Sequence, residues 1–344
     1  MSMGCSLAVV GSTGLVGRTM LRVLEERDFP CDSLRLFASA KSAGIDQSFR
    51  GTPVRVEELT KRSFDDVDIA LFSAGSAASV AFAPYARTAN CVVIDNSSAW
   101  RMHPEVPLVV PEVNAAALLG HHGIIANPNC STIELVVVLK PLHEAFGLRR
   151  VVVSTYQSVS GAGQKGLHQL DEEVHGRVPA TRISTHPVAY NLVFHAIDET
   201  DGPSEEERKM RHETRKILDM PGLPLSVTCV RAPVLGGHGE SVNVECTSAC
   251  EPAAIRSVLN DAPGITVFDD PLRAVYPTPL AVADLDDVFV GRIRADRSVE
   301  HGANLWLVAD NLRKGAATNA VQIAEELLQR QCLSFDSTFP LSPA

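Results

Sequence analysis

An apolar run at Ser6–Val10 feeds straight into Gly11-Ser12-Thr13-Gly14-Leu15-Val16-Gly17, after which Val16, Met20, Val23 and Leu24 recur at helical spacing. Three glycines at a strand-to-helix junction constrain this chain more than any other feature. Backbone N–H groups and the positive end of the helix then converge on one point, which suits the diphosphate of a dinucleotide. In that arrangement Gly11 takes the tight turn, Gly14 admits a ligand closely, and Gly17 lets helix pack on strand. The spacing is G-x-x-G-x-x-G and not G-x-G-x-x-G, and a tight turn without a ligand is the plainer alternative for this segment alone.

The pattern continues beyond the turn. Strand-like runs at Leu34–Ala38, Asp68–Ser73, Val92–Asp95 and Gly123–Ala126 alternate with helical stretches such as Ser76–Thr88. This predicts a doubly wound, Rossmann-like α/β domain with a parallel sheet. Past Asn127-Pro128-Asn129 the texture changes. Ser131–Ala145 reads as a helix, and strands recur at Arg150–Ser158, Leu225–Arg231, Glu240–Thr247, Val288–Ala295 and Leu305–Ala309 with few helices between them. That predicts an α+β domain with a mainly antiparallel sheet. Ser204–Asp219 reads as a charged helix after a Gly202-Pro203 turn. Ala316–Gln329 reads as a helix with Ala320, Ile323, Ala324 and Leu327 on one face, which we expect to return to the first domain. The expected division is residues 1–129 with 315–344 against 130–314.

The 344 residues fit two domains of roughly 100–200 residues each. No apolar run approaches the ~20 residues that cross a bilayer, and Met1 to Ser6 is too short for the n- and h-regions of a secretory signal. We therefore expect a cytoplasmic protein with no membrane partner. A net charge of −10 supplies no basic face for nucleic acid, so an anionic substrate has to be gathered by local Arg and Lys. The cysteines Cys5, Cys31, Cys91, Cys130, Cys229, Cys246, Cys250 and Cys332 are scattered without a C-x-x-C pair, so we expect reduced thiols and no metal.

Several residues carry candidate chemistry. After the second strand the chain reads Ala38-Ser39-Ala40-Lys41-Ser42-Ala43-Gly44, with no acid until Asp46. An acid there holds the ribose 2′-hydroxyl of NAD, whereas a cation suits the 2′-phosphate of NADP, so Lys41 with Ser39 and Ser42 favours NADP over a plain solvated turn. In Asn127-Pro128-Asn129-Cys130-Ser131-Thr132 the helix begins at or just after Cys130. A thiol there has its thiolate stabilised by the helix dipole and free N–H groups, although a buried helix-start cysteine is the commoner case. A nucleophilic cysteine needs an acid/base. His121, His122, His143, His168, His175 and His212 read as solvated, while His238 sits among glycines in Leu235-Gly236-Gly237-His238-Gly239-Glu240, downstream of Arg231.

Six segments, in order, resemble the aspartate-semialdehyde dehydrogenase family: Asp95-Asn96-Ser97-Ser98-Ala99-Trp100-Arg101-Met102, Val110-Pro111-Glu112-Val113-Asn114, the Asn127–Thr132 block, Gln157-Ser158-Val159-Ser160-Gly161-Ala162-Gly163, Arg231-Ala232-Pro233-Val234 leading to His238, and Asp310-Asn311-Leu312-Arg313-Lys314-Gly315-Ala316-Ala317. The resemblance implies that Cys130 is the nucleophile of an acyl-thioester, His238 the acid/base, and Gln157 the residue that orients substrate. It implies that Arg231 pairs with the substrate α-carboxylate, Glu206 with its amino group, and Arg101 and Lys209 with phosphate. For NADP it implies Thr13, Gly14, Leu15, Val16, Lys41, Ser42, Ser160, Gly161 and Gln322. The N–H of Cys130 and the Asn129 amide are our candidates for the oxyanion.

The reaction so implied is NADPH-dependent reductive dephosphorylation of L-4-aspartyl phosphate to L-aspartate 4-semialdehyde, in the biosynthesis of lysine, threonine, methionine and diaminopimelate. The family also implies a homodimer built on the sheet of the second domain, which makes 130–314 a catalytic and dimerisation domain. Gly239 departs from the family's usual Ser, Trp100 from Phe or Tyr, Ser76 from Gly, and Lys41 from Arg. Two alternatives stand beside this reading: a related acyl-phosphate reductase such as N-acetyl-γ-glutamyl-phosphate reductase, whose G-C-Y-P-T setting is absent here, and a catalytically silent NADP-binding paralogue.

Overall fold

The computed structural model describes residues 4–197 and 202–341, so residues 1–3 and the last residues of the 315–344 segment lie outside the described residues. The chain divides into two compact units, residues 1–128 with 316–344, and residues 129–315.

The first unit is built on a seven-stranded sheet. In chain order its elements are β1 (Cys5–Val10), α1 (Leu15–Glu26), β2 (Cys31–Ala38), β3 (Asp46–Phe49), β4 (Thr52–Glu58), β5 (Ile69–Phe72), α2 (Ser76–Thr88), β6 (Val92–Asp95), α3 (Pro111–Asn114) and β7 (Ile124–Ala126). The spatial order is β3-β4-β2-β1-β5-β6-β7. Every pairing is parallel except the β3–β4 hairpin at one edge. Strands β1, β5 and β6 are almost wholly buried, as expected where a parallel sheet is covered on both faces. The late helix α8 (Thr318–Gln329) belongs to this unit, and its Ala320, Ile323, Ala324 and Leu327 share one core with Met20, Val23 and Leu24 of α1.

The hairpin β3–β4 is absent from the sequence reading. Its residues, Asp46-Gln-Ser-Phe and Thr52-Pro-Val-Arg-Val-Glu-Glu, are polar and largely exposed, so no apolar run marks them. His121 also departs from its expected solvated setting: it is buried, with Nε2 against the Cys332 carbonyl at 2.7 Å and Nδ1 accepting from the Gly123 N–H.

The second unit runs α4 (Cys130–Phe146), β8 (Leu148–Gln157), α5 (Gln164–Val174), β9 (Val193–Phe194), α6 (Glu205–Ile217), β10 (Leu225–Arg231), β11 (His238–Cys246), α7 (Pro252–Asn260), β12 (Ile265–Val267), β13 (Val288–Asp296) and β14 (Gly302–Ala309). Its sheet has the order β12-β13-β14-β11-β8-β10-β9 and is mainly antiparallel, with parallel pairing at β8–β10 and β12–β13. The long apolar helix α4 packs on β8, β11, β13 and β14. Helices α5 and α7 and the short strands β9 and β12 were not expected from the sequence; α5 in particular is polar enough to read as loop. His238 is the first residue of β11, not part of the loop that precedes it.

Candidate active site

The glycine turn is formed by backbone. Gly11 has φ +82°, the left-handed conformation that favours glycine, and its N–H donates to the Phe37 carbonyl of β2. A Cβ on Gly17 would lie 2.3 Å from the Gly11 carbonyl oxygen, so α1 meets the turn with no room for a side chain. Gly14 is the N-cap of α1, no side chain caps that end, and no acid occupies its first turn. The first N–H groups of α1 are thus left to a ligand or water, beside Thr13, Leu15 and Val16. These residues fit a dinucleotide diphosphate. At the end of β2, Ser39 and Lys41 are exposed in a turn where Ser42 N–H donates to the Ser39 carbonyl, and Asp46 is paired with Arg55. Gln322, on α8, donates from Nε2 to Glu112 at 2.8 Å. Arg101 is buried in this unit, with Nε and Nη2 donating to the carbonyls of Asn127 and Asn96 at 3.0 and 2.7 Å.

The second unit gathers the thiol and its companions. Cys130 is the first residue of α4, and Asn129 is its N-cap, accepting from Thr132 N–H at 3.2 Å. The Cys130 Sγ lies 3.2 Å from Nε2 of His238, which is fully buried at the start of β11. The other ring nitrogen, Nδ1, accepts from the Ser158 backbone N–H at 3.0 Å. A backbone N–H can only donate, so Nδ1 carries the lone pair, and the neutral ring holds its proton on Nε2, facing the sulfur. Burial, with the Arg231 charge added, pushes the His238 pKa down to about 3, which keeps the ring neutral.

Ser160 belongs to this support. Its Oγ lies 2.9 Å from Ser158 Oγ and donates to Asn311 Oδ1 at 3.1 Å, and the same Asn311 oxygen accepts from Gly237 N–H. Gly161 leaves space that a Cβ would fill at 3.0 Å from Arg231 Nη1 and 3.5 Å from His238 Nε2.

Gln157 and Arg231 end neighbouring parallel strands in register, which sets their side chains side by side. Gln157 Nε2 donates to Ser131 Oγ at 2.8 Å and to Glu206 at 3.3 Å. Arg231 donates to the Ser158 carbonyl at 2.7 Å. Helix α6 opens with a Ser204–Glu207 capping box, which fixes where Glu206 points. Burial pushes the Glu206 carboxyl up, but His195, Lys209 and the Asn129 amide overcome it, so Glu206 sits below the usual carboxylate range. Lys209 lies 3.8 Å from Glu206 and 2.7 Å from Glu205. The Asn129 amide is committed: Nδ2 donates to Glu206 at 2.7 Å, while its backbone N–H donates to Glu213 at 2.7 Å.

Sequence reasoning missed four participants: Ser158, Asn311, Glu213 and His195. Glu213 follows Glu206 by seven residues and shares its helix face, a signal that was available. His195 had none. Its Nδ1 lies 3.4 Å from Arg231 Nη2, and burial together with Arg231 lowers its pKa to about 4. The departure at Gly239 has a cause: a Cβ there would stand 2.4 Å from the Trp306 ring. Trp100 is buried, with Nε1 donating to Ser79, and Ser76 Oγ lies 3.2 Å from Ser98 Oγ.

Residues 6–121 match the family described as semialdehyde dehydrogenase, NAD binding domain, and residues 139–314 match semialdehyde dehydrogenase, dimerisation domain. The chain is 50% identical over 336 residues to the aspartate-semialdehyde dehydrogenase of Aquifex aeolicus, covering 95% of this chain and 99% of the relative. It is 47% identical over 340 residues to that of Bacillus subtilis, covering 95% and 98%. Among solved structures it resembles aspartate semialdehyde dehydrogenase II of Vibrio cholerae in complex with ASA, with a TM-score of 0.91, 44% identity, and coverage of 95% of this chain and 99% of that one. A nicotinamide-binding domain, a dimerisation domain and near full-length identity of this order place the chain in the aspartate-semialdehyde dehydrogenase family.

Proposed function

We propose that the chain is an NADP-dependent, phosphorylating aspartate-semialdehyde dehydrogenase in which Cys130 forms the thioester. The observation that carries this reading is the 3.2 Å contact between Cys130 Sγ and a His238 whose proton is held on Nε2 by the Ser158 N–H. The Nε2–H stabilises the thiolate for attack on the acyl carbon of L-4-aspartyl phosphate, and the carbon–phosphate oxygen bond breaks with phosphate leaving toward Arg101 and Lys209. Arg231 takes the substrate α-carboxylate in a forked pairing, Glu206 its ammonium, and Gln157 holds the acyl end. A nicotinamide cofactor, when bound, supplies the hydride that reduces the thioester; Gly11, Thr13, Gly14, Leu15, Val16, Ser39, Lys41, Ser42, Ser160, Gly161 and Gln322 are the residues that would hold it. The oxyanion left by hydride transfer collapses to the aldehyde carbonyl as the carbon–sulfur bond breaks, and the sulfur leaves as a thiolate stabilised by the Nε2–H of His238.

No helix among the described residues is long and apolar enough to cross a membrane. We assign the protein to the cytoplasm and the dimer to the sheet of the second unit.

Phosphate-dependent reduction of NADP by L-aspartate semialdehyde, run beside NAD, tests the reading, with mass spectrometry of the acyl adduct. Wild type should turn over with NADP preferred and carry the adduct on Cys130; Cys130→Ala should lack both. Substantial turnover in Cys130→Ala, or none with wild type, would sink it. N-acetyl-γ-glutamyl semialdehyde as substrate separates the related reductase, and a Cys130 no more reactive to iodoacetamide than an ordinary thiol would mark a silent paralogue.

A further inference from the structure

Next to the Cys130–His238 pair, each of the two elements that carry it buries a carboxyl. Glu134 follows Cys130 by four residues on α4, one turn along the same face, and Glu240 follows His238 by two on β11, on the same side of the strand. Both carboxyls are fully buried, and none of their four oxygens has a hydrogen-bond partner among the described residues. One position ties this layer to the nucleophile: a Cβ on Gly315 would stand 2.9 Å from the Cys130 Cβ and 3.3 Å from Oε1 of Glu134. The other charged groups of the neighbourhood are Asp310, which acts on Glu134, and the fully buried Lys314 beside Gly315. Burial pushes both carboxyls well above the usual carboxylate range, and for Glu134 the charge of Glu240 adds to it. Two ionised carboxylates in a dry layer repel each other, and no hydrogen bond from the described residues reaches their oxygens. A retained proton relieves both problems, because a protonated carboxyl is itself a donor.

We propose that Glu134 and Glu240 form a positioning pair that shares at least one proton at neutral pH, the O–H of one donating to the other and tying the start of α4 to β11 below the nucleophile and its histidine. Neither group enters the proposed reaction, and the inference rests on that reading only for the importance of Cys130 and His238.

Difference infrared spectroscopy of wild type against E134Q/E240Q at neutral pH reads the proton directly. The carbonyl stretch of a protonated carboxylic acid should be present in wild type and lost in the variant; loss of carboxylate bands alone overturns the proposal. A second measurement follows iodoacetamide alkylation of Cys130 together with kcat and KM. E240Q keeps a donor opposite Glu134 and should stay within about twofold of wild type in kcat, while E240L should lose about tenfold in kcat and in alkylation rate with KM little changed. Equal losses in E240Q and E240L, or none in E240L, overturn it. If E240L does not fold, the infrared result still decides. Infrared bands and alkylation need no substrate, so a wild type inactive on L-aspartate semialdehyde counts against the proposed function alone.

Discussion

The glycine turn of the first unit and the thiol site of the second are both polar sites, but they are assembled differently. The turn is seven consecutive residues whose backbone forms a cradle, with Gly11 and Gly17 present because no Cβ fits. The thiol site is side chains from Asn129–Cys130, Gln157–Gly161, His195, Glu206–Glu213, Arg231 and His238, brought together by strand register and by the packing of α4 and α6. The first should therefore tolerate almost any side chain and no added Cβ at Gly11 or Gly17. The second should tolerate backbone-neutral change poorly wherever a named group is lost.

His238→Asn removes the ring that faces the sulfur and gives the largest expected effect. We expect kcat to fall by about 10²–10⁴ and Cys130 alkylation at neutral pH to slow, measured by steady-state kinetics and iodoacetamide labelling. A variant keeping more than a tenth of wild-type kcat would break the side-chain half of the comparison. Gly17→Val probes the other half: a β-carbon set against the Gly11 carbonyl should cost about 1–3 kcal/mol of stability and weaken NADPH binding, read by denaturant unfolding and by titration. Thr13→Ala leaves every N–H in place and should cost about 0.5 kcal/mol or less.

Glu206→Gln keeps the shape but removes the charge; KM for L-aspartate semialdehyde should rise about tenfold with a smaller change in kcat. His195 and His238 sharpen the contrast through pH. Their folded pKa values, about 4 and about 3, lie below the ordinary 6.5, so below that value the unfolded chain binds protons that the folded one does not. The stability these two histidines contribute is whole above pH 6.5, declines as pH falls, and levels off below about 3. Denaturant midpoints across that range should show a shallower slope in His195→Asn than in wild type; identical slopes would remove His195 from the account. A modest effect is expected at exposed Lys41: Lys41→Ala should raise KM for NADPH about two- to fivefold and leave NADH unchanged, and parallel changes in both would show that Lys41 does not read the 2′-phosphate.

Legibility followed the same division. The turn, the helix at Ser76–Thr88 and the strand at Leu225–Arg231 were readable because each rests on a local pattern: glycine spacing, helical periodicity, or a β-branched run. The β3–β4 hairpin was not, because an exposed edge pair needs no apolar residues. At the thiol site, Cys130 stood out locally as a helix-start cysteine, but His238 and Arg231 gained weight only from the ordered family segments. Ser160, expected at the cofactor, also enters the hydrogen bonds behind His238, something its segment could not disclose.

By itself the sequence determined the two architectures, the cradle at Gly11–Gly17 and the candidate nucleophile, because short-range sterics and periodicity decide these within a dozen residues. Tertiary structure alone decided which nitrogen of His238 holds the proton, that Asn129 is already engaged by Glu206 and Glu213, that Trp306 excludes a side chain at Gly239, and that Glu134 and Glu240 lie buried without donors. Each of these depends on a partner from a distant segment. A proton's position and a carboxyl's ionisation are set by which groups remain once water has been removed, and only the packed chain specifies that.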